Sequence, residues 1–366
     1  MSKPKVDDEK FIELFRLHGA TETARIIGTD IRGIHRRRRR LEKDHGPIAQ
    51  DPTINATSTL YNADGNLVLQ WVKKKKEHEE QEQRLLELAA ALSEKIPRST
   101  PIARPNNTCE SLLNCYILTD YHLGALAWHE ESGEDWDITL AEDLLLKWFL
   151  SSVKMAPNSK VGVLAQLGDF LHFDGLEAVT PAHRNILDAD TRFQKVVRVA
   201  IRVLRQIIQM LLKKHEKVHI IMADANHDPA SSAWLREMMT ALYDGEPRIT
   251  VDRSADTYYC YEWGNTSLFF HHGHRRKPSN IDDVFVSKFR EVFGRTKYSY
   301  AHMGHQHHLD AKETKLMTVT QHRTMAAKDA YASLGGWMSG RSADVITYSK
   351  EYGEVGRVTI TPEMVK

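Results

Sequence analysis

Apolar positions recur along this chain in two rhythms. Near the N-terminus they fall at helical spacing. Phe11, Leu14, Phe15 and Leu17 make one face and Gly19 stops it; Ala24, Ile26 and Ile27 follow; Gly28 and Thr29 turn the chain; Ile31, Ile34 and Leu41 then share the face of a last helix. This reads as three short helices over residues 8–44 with a helix-turn-helix rhythm. Beyond Cys109 the pattern changes. Short, nearly continuous apolar runs at 112–118, 161–167, 218–223 and 267–270 have the length of buried strands. The stretches 139–153 and 190–215 between them have the period of amphipathic helices. Strand and helix in alternation predict a layered α/β core. Further strands are expected within 258–271 and 298–303, around 316–319, and near Val345 and Val358, with a helix over 326–332.

The intervening stretch is of another kind. Residues 58–73 alternate around Asp64-Gly65, the signature of a hairpin. Residues 73–95 read as a spacer helix, charged in its first half and apolar in its second, and Pro97, Pro101 and Pro105 mark a linker. The chain therefore divides into a helix-turn-helix module over 1–50, a hairpin, spacer helix and Pro-rich linker over 51–108, and a catalytic domain over 109–366.

Composition changes this picture in three places. A net charge of +1 over 366 residues gives no global pull toward nucleic acid, so any such pull is local. It is found in the third helix, where Arg32, Arg36, Arg37, Arg39 and Arg40 sweep the surface left by Ile34 and Leu41. A solvated basic helix would look the same, but the preceding helix-turn-helix rhythm favours DNA as partner, with arginines on phosphates either side of a groove. Cys109, Cys115 and Cys260 are odd in number and lack metal-type spacing, so they are expected to be free thiols in a reducing compartment. No run approaches the roughly 18 apolar residues of a membrane span, and the polar opening lacks a signal-peptide apolar region; the expected location is the cytoplasm.

The candidate chemistry follows the strands. After the apolar runs come Asp120-Tyr-His122, Gly168-Asp169-Phe-Leu-His172, Asn226-His227-Asp228, His271-His272-Gly273-His274 and Gly304-His305-Gln-His307-His308. Carboxylate, amide and imidazole donors without thiolate suit a hard or borderline divalent cation. Strand ends are where an α/β sheet presents its site.

These five motifs, in this order, resemble the calcineurin-like metallophosphoesterase superfamily. The Leu-Gly after His122 and the placing of His172 three residues after Asp169 are closer to SbcD-type DNA-repair nucleases. The resemblance implies a four-layer α-β-β-α sandwich with two divalent cations, manganese first, with zinc, iron or magnesium as alternatives. By it, Asp120, His122, Asp169 and His307 hold one metal and Asp169, Asn226, His272 and His305 the other. It further implies a metal-bridging hydroxide as nucleophile and His227 as general acid, with Asp228 either orienting it or capping the next helix. His172, Arg323 and Arg341 are substrate-binding candidates, the two arginines equally readable as surface residues of a closing ribbon. His271, His274, His302 and His308 are surplus to the pattern and are expected to line the cleft or face solvent. Ala225 stands where the family usually has glycine. The chain beyond His308 is shorter than the extension with which SbcD-type nucleases recruit an ATPase, so that partner does not carry over; a homodimer is compatible. The function implied is a DNA nuclease, with a phosphomonoesterase, a nucleotide phosphodiesterase or a non-catalytic DNA-binding scaffold as rivals.

Overall fold

Gly19 and Gly28 organise the N-terminal helices. The first helix, α1 (Asp8–Ile27), starts on Asp7, whose side chain accepts from the Lys10 amide at 2.7 Å; it kinks at Gly19, where φ is 71°, and ends on left-handed Gly28. Asp30 then opens α2 (Ile31–His45) by accepting from the Gly33 amide at 2.5 Å. Phe11, Phe15, Ala24, Ile34, Leu41 and Ile48 form their shared core. Strands β1 (Ile54–Tyr61) and β2 (Leu67–Lys74) pair antiparallel as the expected hairpin. The computed structural model describes residues 6–45, 48, 54–61, 67–74, 102–336 and 338–365. The Asp64-Gly65 turn, the spacer helix beyond residue 74 and Trp337 lie outside them. The chain forms two compact units, Met1–Leu88 and Ala89–Lys366.

The second unit is built on two sheets. In chain order its elements are β3 (Cys109–Leu118), α3 (His129–Ser132), α4 (Ile138–Met155), β4 (Ser159–Gln166), α5 (Phe193–Lys214), β5 (Lys217–Met222), α6 (Pro229–Leu242), β6 (Ile249–Val251), β7 (Tyr259–Trp263), β8 (Thr266–His271), α7 (Asp282–Lys288), α8 (Arg290–Arg295), β9 (Tyr298–Met303), β10 (Asp310–Glu313), β11 (Thr318–Gln321), α9 (Ala330–Leu334), β12 (Ala343–Ser349) and β13 (Gly353–Ile360). One sheet runs β13-β12-β3-β4-β5-β6, parallel from β3 to β6; the other runs β10-β11-β9-β8-β7, with β8, β9 and β11 parallel.

Strand alternation assigns the layers. Leu113, Cys115 and Ile117 of β3 and Val161, Val163 and Ala165 of β4 meet Leu268 and Phe270 of β8 and Tyr259 and Trp263 of β7 between the sheets. The even positions of β3 turn outward: the Tyr116 ring stacks on Phe149 of α4 at 6.1 Å. Phe269, Ala301 and Met303 leave the second sheet by its far face and pack with Ile281 and Phe285. Helix, sheet, sheet, helix is the four-layer sandwich expected.

Two local expectations are corrected. The helix read over 326–332 is only α9, because Asp329 starts it by accepting from the Ala332 amide at 2.8 Å. His271 and His302 neither line a cleft nor face solvent: both are buried, and His302 sits between the Tyr348 hydroxyl and the His322 ring at 2.9 Å each. The sheet end remote from the ligand motifs is pinned by Arg248, whose buried guanidinium donates to the carbonyls of Ile102, Leu212, His215 and Glu216.

Candidate metal centre

The ligand motifs all follow the C-terminal ends of parallel strands: Asp120 after β3, Asp169 after β4, Asn226 after β5, His272 after β8, and His305 and His307 after β9. Both sheets thus contribute to one site. The backbone there is unusual. Among the described residues six non-glycines have positive φ, and five of them are Asp120 (50°), His122 (48°), Asp169 (50°), His305 (75°) and His307 (56°). The left-handed region is sparsely populated by non-glycine residues, though Asp and His tolerate it better than most, and such strain gathers where function requires a backbone to be held in place.

Asp120 is buried, and its two oxygens have different roles. Oδ2 accepts from the His305 amide at 2.8 Å and from the Thr119 hydroxyl, while Oδ1 has no hydrogen-bond donor among the described residues. Oδ1 lies 3.2 Å from His307 Nε2 and 4.0 Å from His272 Nε2. Asp169 repeats the division: Oδ1 accepts from the amides of Asn226 (3.1 Å) and His227 (2.8 Å), and Oδ2 faces His272 Nε2 at 3.1 Å.

His272 shows why a cation fits. Its Nδ1 is 2.9 Å from the Leu167 carbonyl and donates to it, leaving the Nε2 lone pair of a neutral ring 3.0 Å from Asn226 Oδ1 and 3.1 Å from Asp169 Oδ2. Three lone-pair atoms pointing at one another repel unless a proton or a metal ion lies among them. Without a metal the proton takes that place: burial opposes the charge, yet the Asp169 and Asp120 carboxylates push His272 up to about 9. On the other side His122 Nε2 and His307 Nε2 are 3.4 Å apart. Burial, with His227 next, holds His122 well below the ordinary histidine range. The donors form three groups with ligand atoms within 4.8 Å: Asp120, Asp169, His272 and His305; Asp120, His122 and His307; and His122, His172 and His227. Asp120 is the carboxylate common to the first two at this spacing, and Asn226 Oδ1 stands 3.0 Å from His272 Nε2 of the first. The oxygen and imidazole donor set suits manganese, zinc, iron or magnesium.

The glycines beside the ligands are required by space. A Cβ on Gly168, whose φ is 110°, would lie 2.7 Å from both Ala225 Cβ and His272 Nδ1. A Cβ on Gly304 would run into Thr119 Oγ1 and Asp120 Oδ2. The methyl group of Ala225 is therefore accommodated only because its neighbour has none.

Around the ligands stand the groups expected to work on substrate. His227 Nδ1 lies 2.9 Å from the His172 carbonyl, which fixes the ring with Nε2 as its other nitrogen; the ring is 4.7 Å from that of His122. The orienting partner is thus a carbonyl, not Asp228. Asp228 is buried, accepts from the Leu171 amide at 2.8 Å and lies 3.3 Å from the Ser232 hydroxyl; burial and the Asp169 carboxylate push it well above the usual carboxylate range. His172 is buried with Nδ1 3.4 Å from His122 Nδ1 and with Nε2 unpartnered among the described residues. Arg323 Nε is likewise buried and unpartnered there. Arg341 is engaged: it donates to the Met325 carbonyl at 2.6 and 2.9 Å, pairs with Glu134 and lies 5.3 Å over the Trp136 ring.

Three contributors carry no sequence signal. Thr324 donates to the Asp120 carbonyl at 2.6 Å; Asp174 caps α6 through the amides of Ala230 and Ser231, both at 2.7 Å; and Asp224 lies 3.6 Å from Arg275 and 3.9 Å from His274. Each is a common residue type whose role is set by chain segments distant in sequence.

No family model matches the chain, and no curated protein matches it. Among solved structures it is similar to a novel archaeal phosphodiesterase, with 13% identity over 68% of this chain and 99% of that one at a TM-score of 0.35. A dimetal phosphatase from Danio rerio gives 8% identity, 69% and 99% coverage and a TM-score of 0.36. Wild-type Vps29 complexed with zinc from Entamoeba histolytica gives 11%, 69%, 99% and 0.29.

Proposed function

We propose that this protein is a divalent-metal-dependent phosphodiesterase that hydrolyses DNA. Asp120, His122, Asp169 and His307 would hold one cation and Asp169, Asn226, His272 and His305 a second, manganese being the first choice. The observation that supports it is the convergence of carboxylate, amide and imidazole lone pairs at the ends of strands from both sheets, on backbone held in the left-handed region. These residues would hold cations whose chemistry is to acidify water and to offset charge on a transferring phosphoryl group. The chain supplies the rest. His227, with Nδ1 tied to the His172 carbonyl, keeps Nε2 for delivering a proton to the leaving oxygen. Arg323, with a buried unpartnered Nε, is the arginine left free to take a phosphate oxygen, while Arg341 secures the segment that follows it. The basic helix α2 supports DNA as substrate.

The test is incubation of purified protein and manganese with labelled linear, circular and single-stranded DNA beside a simple phosphomonoester. DNA cleavage that a chelator silences reversibly is expected, and Asp169→Ala should abolish it and lower the bound metal. Full activity of Asp169→Ala or of metal-stripped protein would end the metal reading, and hydrolysis of the monoester alone would replace DNA with a small substrate.

A further inference from the structure

Helix α2 carries more cations than one face can present, and the structure sorts them. At about 100° per residue, Arg32, Arg36, Arg39 and Lys43, separated by four, three and four positions, fall within about 60° of one another. Ile34 and Leu41 are buried on the opposite side. All four cations are exposed. Among the described residues Arg32, Arg36 and Lys43 have no hydrogen bond or ion pair, and Arg39 reaches Glu42 only through space. No carboxylate interrupts the stripe, whereas a merely solvated helix commonly interleaves charges of both signs.

The other three arginines are tied to the fold. Arg37 donates to Asp8 Oδ1 at 2.5 Å and to the Val6 carbonyl at 2.7 Å, with its guanidinium 4.7 Å from the Phe11 ring centre. Arg40 bonds Asp8 Oδ2 at 2.9 Å, and Arg38 bonds Glu42 at 2.8 Å while lying 5.2 Å over Phe15. They hold α2 against the start of α1 and cover its aromatic core.

We infer that α2 enters the major groove of duplex DNA by the stripe Arg32, Arg36, Arg39 and Lys43, with Arg37, Arg38 and Arg40 acting as clamps that present it. The inference takes its ligand from the DNA reading proposed above. A helix with its side chains, about 10–12 Å across, fits the roughly 12 Å major groove of B-form DNA. It does not fit the deep, narrow major groove of A-form RNA. The stripe rises about 17 Å along the helix, the length of about five base-pair steps.

The experiment measures binding of the full chain to a labelled DNA duplex over a range of salt, in chelator so that nothing is cut. Replacing Arg32, Arg36, Arg39 and Lys43 by alanine should flatten the salt dependence by about 3–4 log units per decade, at roughly 0.9 for each phosphate no longer neutralised. Arg36→Gln with Arg39→Gln should remove about half of that and guards against misfolding of the fourfold variant. Arg37→Ala and Arg40→Ala, assayed below their own melting temperatures, should keep the parental slope. An RNA duplex of the same length should bind more weakly. An unchanged slope in the stripe variants, an equal loss in the clamp variants, or equal binding of the RNA duplex overturns the inference. If the parent cuts DNA while its stripe variants keep the slope, the stripe alone falls. A parent that hydrolyses a nitrophenyl diester yet neither binds nor cuts duplex DNA removes the stripe and the DNA reading together and leaves the metal chemistry standing.

Discussion

His227 and Gly168 separate chemistry from architecture at the scale of single residues. His227 is held through its Nδ1, and as a proton donor that is not a ligand its replacement, His227→Ala, should lower turnover by roughly 10²–10⁴-fold with metal content intact. The loss should shrink for a nitrophenyl leaving group, which needs less protonation; an equal loss on both substrates would make the ring a positioning group, and loss of metal would make it a ligand. Gly168→Ala should act the other way, because its methyl must occupy the space of Ala225 Cβ and His272 Nδ1 in a backbone unsuited to any side chain. A destabilisation of roughly 1–3 kcal/mol with weakened metal binding is expected, and Ala225→Gly in the same chain should restore only part of it. Thermal melting with metal titration reads both. The candidate ligands were legible because each motif follows an apolar run. Their left-handed backbone was not, since Asp and His at such positions look like Asp and His anywhere. The sorting of the arginines was also hidden, because the clamp is Asp8, 29 residues before Arg37 and 32 before Arg40.

At the scale of elements, α5 is locked to the first sheet by the histidine at its C-terminal end. His215 is buried between the Tyr116 hydroxyl (2.9 Å from Nε2) and Ser159 (hydroxyl 3.1 Å and carbonyl 2.9 Å from Nδ1), and its ring occupies the space that a Cβ on Gly162 would fill. Burial pushes it down to about 4 from an ordinary 6.5. Between those values the unfolded chain binds a proton that the native one refuses. The contribution of His215 is therefore constant above pH 6.5 and falls as the pH drops toward 4, by on the order of 3 kcal/mol at most. Denaturation across this range should show the decline, and His215→Gln should flatten it; a variant declining as steeply as the parent would refute the assignment. The strands and long helices of this layer were readable to within a few residues, because buried parallel strands read as continuous apolar runs. The 326–332 helix was misplaced because an Asp that caps a helix and an Asp inside one differ only in where their oxygen points. Buried His302 was misread for a related reason: its partners Tyr348 and His322 arrive from elsewhere in the chain.

At the scale of the whole molecule, the candidate ligands come from two sheets: Asp120, Asp169 and Asn226 from one, His272, His305 and His307 from the other. A cation held by both sets would fasten the sandwich at the ligand end, opposite the end pinned by Arg248. Metal at a hundred times its dissociation constant should stabilise the second unit by about 2.7 kcal/mol, so a chelator should lower its melting temperature and manganese restore it; a melting curve indifferent to both would mean that no cation binds. The five left-handed ligand residues also fix where this protein can be improved. Each holds a torsion that costs of order 1 kcal/mol or more, so a library selected for thermal resistance alone should accumulate replacements in the loops after β3, β4 and β9, and those survivors should be inactive. A library selected for resistance and activity together should leave these loops untouched and draw its gains from the outer helices, which makes the distribution of tolerated changes a map of the site that needs no substrate to be known in advance.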